Sequence, residues 1–143
     1  MAKQTIISNT AAIILCEALK DLLDAGSDLK IYDGIIPTDL DVPLTTQNLL
    51  VQMSLPFPTF GVVTDGGGKA STSVTAAVAA LATASGLATF YRACNSSGDP
   101  VLQGTVGMLG CDLNLSSTNL SIGVSVRVNS WNLHISESQT ICP

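Results

Sequence analysis

Residues 122–135 limit the possible folds strongly, because apolar and polar side chains alternate along the stretch. The apolar positions of its first half are Ile122, Val124, Val126 and Val128, and those of its second half are Trp131, Leu133 and Ile135. A period of two is typical of a β-strand with one buried face. Because the apolar parity changes between the halves, one extra residue must be accommodated, and we predict a β-bulge at residues 129–130.

Shorter alternating segments recur earlier in the chain, and each ends at a turn signal of Gly, Pro, Asn or Ser. The predicted strands cover residues 28–32, 49–55, 87–93, 101–106 and 113–115, and the alanine-rich residues 74–86 read as a strand or an irregular edge. Residues 95–99 suit a hairpin turn, and residues 63–73 read as a flexible connection rich in Gly and Ser. Several short strands after one helix favour a mainly β fold, an antiparallel β-sandwich or jelly roll with one N-terminal α-helix.

One amphipathic helix is predicted near the start of the chain, capped by Asn9 or Thr10 and ended by Gly26. Its apolar positions are Ile14, Leu15, Ala18, Leu19, Leu22 and Leu23, and charged residues lie opposite. This face either closes one end of the sheet domain or contacts a neighbouring subunit. We therefore divide one domain, residues 1–143, into an arm (1–9), a helix (10–26), a β-sandwich (28–136) and a tail (137–143).

Charge and composition narrow the function classes. The net charge is −5, and only 12% of residues are charged, whereas an average chain has about 25%. No basic stripe exists to neutralise phosphates or anionic lipid, so we expect neither nucleic acid nor a membrane as partner. The apolar run at residues 11–16 is too short for a signal sequence or a membrane span. A weakly charged surface favours contact with other proteins.

The candidate metal and redox residues give no coherent site. Cys16, Cys94, Cys111 and Cys142 form no CxxC pair, so we expect free thiols, with a Cys94–Cys111 disulfide as the alternative. The calcium candidates, Asp33, Asp39 and Asp41, have no calcium-loop spacing and are interpreted as solvated carboxylates. We expect no metal and no cofactor.

The sequence contains no complete catalytic motif. The stretch "DGGGKAS" has Val63 where a phosphate loop needs its first Gly, and Ala70 where it needs Ser or Thr. His134 falls on the polar face of the last predicted strand, with no nucleophile marked beside it. Glu17 and Glu137 are not identifiable as the paired acids of a glycosidase. We predict no catalytic residue and no enzyme activity.

Four stretches carry a family resemblance that spans most of residues 30–131. They are "KIYDGIIPTDLD", "TTQNLLVQMSLPFPTFG", "GLATFYRACNSSGDPVLQGTVG" and "CDLNLSSTNLSIGVSVRVNSW". In this order they resemble a family of small phage virion proteins that decorate or cement capsids. The segments "GTVG" and "DLNL" weigh most, whereas the "VTDGGGKA" loop, the four cysteines and the tail "HISESQTICP" depart from the pattern.

The resemblance implies a β-sandwich subunit on the exterior of the virion capsid, assembled in the host cytoplasm. Its implied partners are the major capsid protein and its own copies, as a dimer or trimer. The alternative is a tail or fibre module that recognises a host surface ligand. As partner-binding residues we predict Ile6 and Ile7 in the arm, together with Phe57 and Phe60, which flank Pro58 as apolar anchors among neutral hydrogen-bonding groups.

Overall fold

The computed structural model describes residues 3–23 and 25–141, and it confirms a mainly β fold with one N-terminal helix. The elements are β1 (Lys3–Ile6), α1 (Asn9–Leu22), β2 (Asp28–Tyr32), β3 (Leu49–Ser54), β4 (Thr64–Asp65), β5 (Lys69–Ser73), β6 (Ala79–Leu81), β7 (Gly86–Leu87), β8 (Phe90–Cys94), β9 (Pro100–Gly107), β10 (Leu113–Leu115), β11 (Asn119–Leu120), β12 (Ser125–Ser136) and β13 (Ser138–Ile141).

Nine strands form one sheet, and this sheet curls over its own core. The order is β3-β2-β8-β9-β10-β12-β5-β4, with β6 paired to the first part of β12. Beyond β6, the backbone N–H of Thr83 donates to the Leu50 carbonyl of β3 at 2.8 Å, so the outermost strand β3 is also linked to the segment that follows β6. Most strands thus lie in one folded-over mixed sheet, where the sequence predicted an antiparallel sandwich or jelly roll.

The bulge in β12 is confirmed. Asn114 of β10 pairs with Ser130, but the next residue, Leu115, pairs with Val128, so Asn129 is the extra residue. The bulge keeps Val126 and Trp131 on the same buried face despite their opposite parity. This long strand therefore supplies core side chains along both halves.

One strand pair, β9 with β10, is parallel, which the sequence analysis did not foresee. Only residues 108–112 connect the two strands, whereas parallel neighbours usually need a crossover of about a dozen residues or more. The Asp112 carboxylate accepts from the Thr105 amide at 2.9 Å and from its hydroxyl at 3.0 Å. Asn114 donates to the Cys111 carbonyl at 3.2 Å. These hydrogen bonds hold the short connection in place, so that the two strands pair in parallel without a long crossover.

Two glycines of "GTVG" make this tight connection possible. A Cβ on Gly107 would overlap the Cys111 sulfur, and a Cβ on Gly104 would lie 2.8 Å from the Tyr91 ring and 3.0 Å from the Asp112 carboxylate. Any larger residue at either position would displace a neighbouring side chain. Close packing explains these glycines.

An aromatic cluster occupies the centre of the core. Trp131 is fully buried, and its indole N–H donates to the Tyr91 hydroxyl at 3.1 Å. The rings of Phe60 and Tyr91 contact Trp131 edge-on, with centroids at 4.7 Å and 5.4 Å. This hydrogen bond gives the indole N–H and the Tyr91 hydroxyl oxygen a partner, which lowers the cost of burying them.

Burial raises the pKa of Tyr91 from 10 to about 12. The folded protein therefore holds this proton more tightly than the unfolded chain, and stability is lost as the pH rises from about 10 to about 12. We expect a loss of about 2–3 kcal/mol from this group, read from urea unfolding across that range. Cys16, Cys94 and Tyr32 also have raised pKa values and contribute to the same loss. The Tyr91→Phe variant isolates the contribution of Tyr91: it is less stable at neutral pH, but its free energy of unfolding falls less steeply with rising pH. An equal slope in both proteins would contradict the assignment.

The boundaries of the helix differ from the prediction. Ser8 is the N-cap and accepts from the Ala11 amide at 3.1 Å, and the helix ends at Leu22 instead of continuing to Gly26. Leu23 turns away from helical geometry and is buried in the main core, which stops the helix one turn early. Gly26 lies in the following turn, with a φ of +92°.

The residues predicted to form an arm and a tail instead form two strands that pair with each other. β1 and β13 run antiparallel, with Lys3 opposite Ile141 and Ile6 opposite Ser138. Each segment supplies the backbone partners that the other lacks, which the composition of either alone does not reveal. Residues 1–2 and 142–143 of the arm and tail lie outside the described residues.

The prediction of a flexible connection at residues 63–73 is wrong. β4 and β5 form a hairpin there, and β5 also pairs along β12. Gly67 and Gly68 take positive φ angles of +73° and +81°, while the Gly66 amide donates to the Lys69 carbonyl at 2.7 Å. The glycines therefore close a tight turn.

Candidate interaction surface

Helix α1 carries two apolar stripes that are displaced by one residue. The inner stripe consists of Ala12, Cys16 and Leu19, continued by Leu23 directly after the helix, and its members pack into the core. Ala12 and Cys16 are fully buried against Val63 and Ala70. Because these side chains are small, the helix lies close to β5, and it covers one end of the sheet, as one of the two sequence interpretations expected.

The outer stripe consists of Ala11, Leu15, Ala18 and Leu22, and the sheet does not cover it. Leu15 and Leu22 are 50% and 53% exposed, and the neighbouring Ile14 is 61% exposed. The positions follow the spacing i, i+4, i+7 and i+11, so they share one helix face. Four of the six predicted apolar positions, Ile14, Leu15, Ala18 and Leu22, are thus exposed and available to another molecule.

Leu15, Ala18 and Leu22 of the outer stripe, together with Leu19, form one wall of an open groove with a volume of about 820 Å³, called here the α1 groove. Ala11 continues the stripe beyond the groove and is half-buried. The residues that line it are Ile7, Leu15, Ala18, Leu19, Leu22, His134, Ile135 and Ser136. None of them is an Asp, Glu, Lys or Arg. A contiguous apolar surface with no fixed charge is typical of a protein–protein contact.

Hydrogen bonds hold the helix wall of the α1 groove in position. The Asn9 side-chain amide donates to the Asp65 carboxylate at 2.7 Å, and the Lys20 ammonium donates to the Gly61 carbonyl at 3.3 Å. Lys20 also pairs with Glu17 at 3.4 Å. Both ends of the helix are therefore tied to the hairpin side of the sheet, and the groove is formed before a partner arrives.

The structure separates the four predicted partner-binding residues. Ile6 is 73% exposed on β1, Ile7 lines the α1 groove, and Phe57 is 64% exposed in the connection after β3. Phe60 is a correction: it is only 3% exposed, because its ring packs against Trp131. It belongs to the core and is not available as a surface anchor.

A second apolar surface lies on the connection between β2 and β3, in residues 33–48. Ile35 is 83% exposed, and Val42 is 47% exposed. The connection lies over the sheet because Gln103 of β9 donates from its side-chain amide to the Pro37 carbonyl at 2.7 Å. Asp33 also accepts from the Asn48 amide at 2.7 Å, which closes the base of the connection.

Arg92 is the buried group that positions this connection, and sequence reasoning missed it. Its guanidinium donates to the Val42 carbonyl at 3.2 Å, the Asp39 carbonyl at 3.4 Å and the Gln103 side chain at 2.8 Å. No signal in the sequence marks these partners, because two of the three are backbone carbonyls about fifty positions away in the chain.

A small polar pocket of about 280 Å³ lies on the outer face of β5 and β12. It brings together Cys111, Asp112 and His134, which the sequence had left apart, and His134 is exposed as predicted. The Asp112 carboxylate is already occupied by Thr105. Among residues 3–23 and 25–141, no three His, Cys, Asp or Glu side chains are placed to hold a metal ion.

The described cysteines are free. Cys16 and Cys94 are buried, which raises the pKa of both thiols, and Cys111 is half-buried. Free thiols are confirmed at these three positions, and the alternative Cys94–Cys111 disulfide does not form. Cys142 lies outside the described residues. A protonated, buried thiol is a poor nucleophile, so Cys16 and Cys94 act as core residues.

Comparisons of the chain with protein-family models, with curated proteins and with solved structures find no match. Within the described part of the chain, no helix combines the length and hydrophobicity that a membrane span requires.

Proposed function

We propose that this chain is a structural virion protein of a bacteriophage, a capsid cement or decoration protein that binds the outer surface of the major capsid protein and stabilises the head. It acts by adhesion and has no catalytic role. The motif resemblance over residues 30–131 supplies the biological setting. The observation that carries the adhesive role is the exposure of large apolar side chains in groups, in the α1 groove and on residues 33–48.

The physical basis of this proposal is the contrast between a well-packed core and a weakly charged, partly apolar exterior. Single exposed leucines are normal on soluble proteins, but contiguous apolar surface is informative. A stable interface buries about 1,200–2,000 Å² in total, and a few central apolar or aromatic residues dominate its energy. Phe57, at 64% exposure, has the size and the access that such an anchor needs. Because a shell repeats its binding sites many times, a modest contact per copy is sufficient.

The test is the amount of this protein on purified particles of the phage that encodes it. A cement protein is expected at many copies in a fixed ratio to the major capsid protein, measured by gel densitometry. A few copies per particle would instead indicate the tail or fibre role. Absence from particles, or turnover of a substrate by the pure protein, would contradict the proposal.

A surface variant tests the proposed capsid contact. Phe57→Ala is expected to weaken rebinding to stripped particles about tenfold, because it removes an exposed aromatic anchor without disturbing the core. Arg127→Ala, exposed on β12, serves as the control and should rebind normally. Normal rebinding by Phe57→Ala would remove this residue from the interface.

A further inference from the structure

The α1 groove has a feature that bears on the identity of its occupant: large and small side chains alternate along the outer stripe. In chain order the stripe reads Ala11, Leu15, Ala18, Leu22. Read in the opposite direction, it is large, small, large, small. A second α1 helix laid antiparallel against the first therefore places each Leu opposite an Ala.

We propose that the α1 groove is filled by the α1 helix of a second copy of this chain, in an antiparallel pair across a twofold axis. In such a contact, Leu15 of each copy packs against the partner's Ala18, and Leu22 packs against the partner's Ala11. A twofold interface requires this reciprocity, since residue i meets residue j and j meets i. Facing large and small side chains also interdigitate well, and alanines let two helices approach closely.

Charge does not oppose the contact, although each copy carries a net charge of −5. Glu17, Lys20 and Asp21 all lie off the outer stripe. No Asp, Glu, Lys or Arg lines the α1 groove, so the two copies meet without bringing like charges together. The contact remains purely apolar at its centre.

The surface area that a stable dimer must bury favours a contact across the whole α1 groove over a contact between the two helices alone. α1 has 14 residues and is therefore about 21 Å long, and a stable dimer needs about 800 Å² from each partner. Helix-on-helix contact supplies only part of this area. The remainder is available on the opposite wall of the groove, where Ile7 and Ile135 are partly buried apolar residues.

This inference rests on the proposed function in one respect, the expectation that copies of the chain contact each other. The dimer itself can be tested with the pure protein, without capsids. Analytical ultracentrifugation of the wild-type protein is expected to show a monomer–dimer equilibrium in the micromolar range. Leu15→Glu combined with Leu22→Glu should weaken dimerisation more than about 100-fold, because four carboxylates would enter one contact. Leu109→Glu, at a 90% exposed position outside the groove, is the matched control and should dimerise normally. Because all these positions are exposed, thermal unfolding should change little.

A size-exchange variant tests the antiparallel register itself. Ala18→Leu places Leu against the partner's Leu15 and should weaken the dimer about tenfold or more. Adding Leu15→Ala to the same chain places each new Leu against a new Ala, and dimerisation should recover. Failure to recover would overturn the register, and a wild-type protein that stays monomeric at about 100 μM would overturn the proposal. Particle binding by such a monomer would leave the proposed function standing, whereas a dimer that binds no particle would refute that function alone.

Discussion

Trp131→Ala is expected to destabilise the protein by about 3–5 kcal/mol, the largest effect of any single truncation considered. Trp131 is fully buried, touches the rings of Phe60 and Tyr91, and satisfies the Tyr91 hydroxyl. Its removal leaves a cavity at the place where the curled sheet closes over itself, and neighbouring strands cannot collapse into it without breaking their pairing.

The measurement is urea unfolding followed by far-UV circular dichroism, since Trp131 is the only tryptophan and the variant loses its fluorescence. Phe57→Ala is the control, because Phe57 is 64% exposed and its truncation should change stability by less than about 0.5 kcal/mol. If Trp131→Ala cost no more than the control, the centre of the core would have to lie elsewhere.

Arg92→Ala is expected to lower stability by about 2–4 kcal/mol and to release residues 33–48 from the sheet. Arg92 is 6% exposed, and its loss leaves the Val42 and Asp39 carbonyls and the Gln103 side chain without their donor. The change therefore removes a tether as well as packed volume.

Limited proteolysis reports the second effect directly. Cleavage within residues 33–48 should be faster in Arg92→Ala than in the wild-type protein under conditions where both remain folded. Arg127→Ala removes an exposed arginine and should leave both stability and cleavage unchanged. Equal cleavage rates in all three proteins would show that Arg92 does not hold the connection.

Much of the fold could be predicted because alternation reports directly on burial. In β12 the parity change between Val128 and Trp131 allowed a bulge to be placed to within one residue, since no other local device keeps both on one face. The hairpin of β8 and β9 followed from its turn residues in the same way. Local signals were sufficient wherever the structure is determined locally.

Other elements depend on partners that are distant in the sequence. The parallel pair of β9 and β10 relies on Thr105 and Asp112, whose mutual hydrogen bonds no periodicity reveals. The strand β1 exists because β13 lies beside it. Phe57 and Phe60 look alike in the sequence, yet only the position of Trp131 decides which of them is buried.

The interaction surface was half predictable for a similar reason. The sequence showed one apolar helix face with two possible uses, but it did not single out Ala12 and Cys16, the two helix residues that are buried. Which stripe the sheet covers depends on side-chain size, because Ala12 and Cys16 permit a close approach to Ala70 that Leu15 and Leu22 would prevent. Side-chain volume therefore determines which stripe is buried, and the hydrophobic periodicity carries no information about volume.

The pairing of β1 with β13 has a consequence for chain connectivity. Lys3 lies directly opposite Ile141, and facing residues of an antiparallel pair have Cα atoms about 4.5–5.5 Å apart. A short linker can therefore join residue 141 to residue 3 in a rearranged chain, and new ends can be opened at the exposed Gly98 turn between β8 and β9. Such a circular permutant would keep every strand neighbour of the curled sheet.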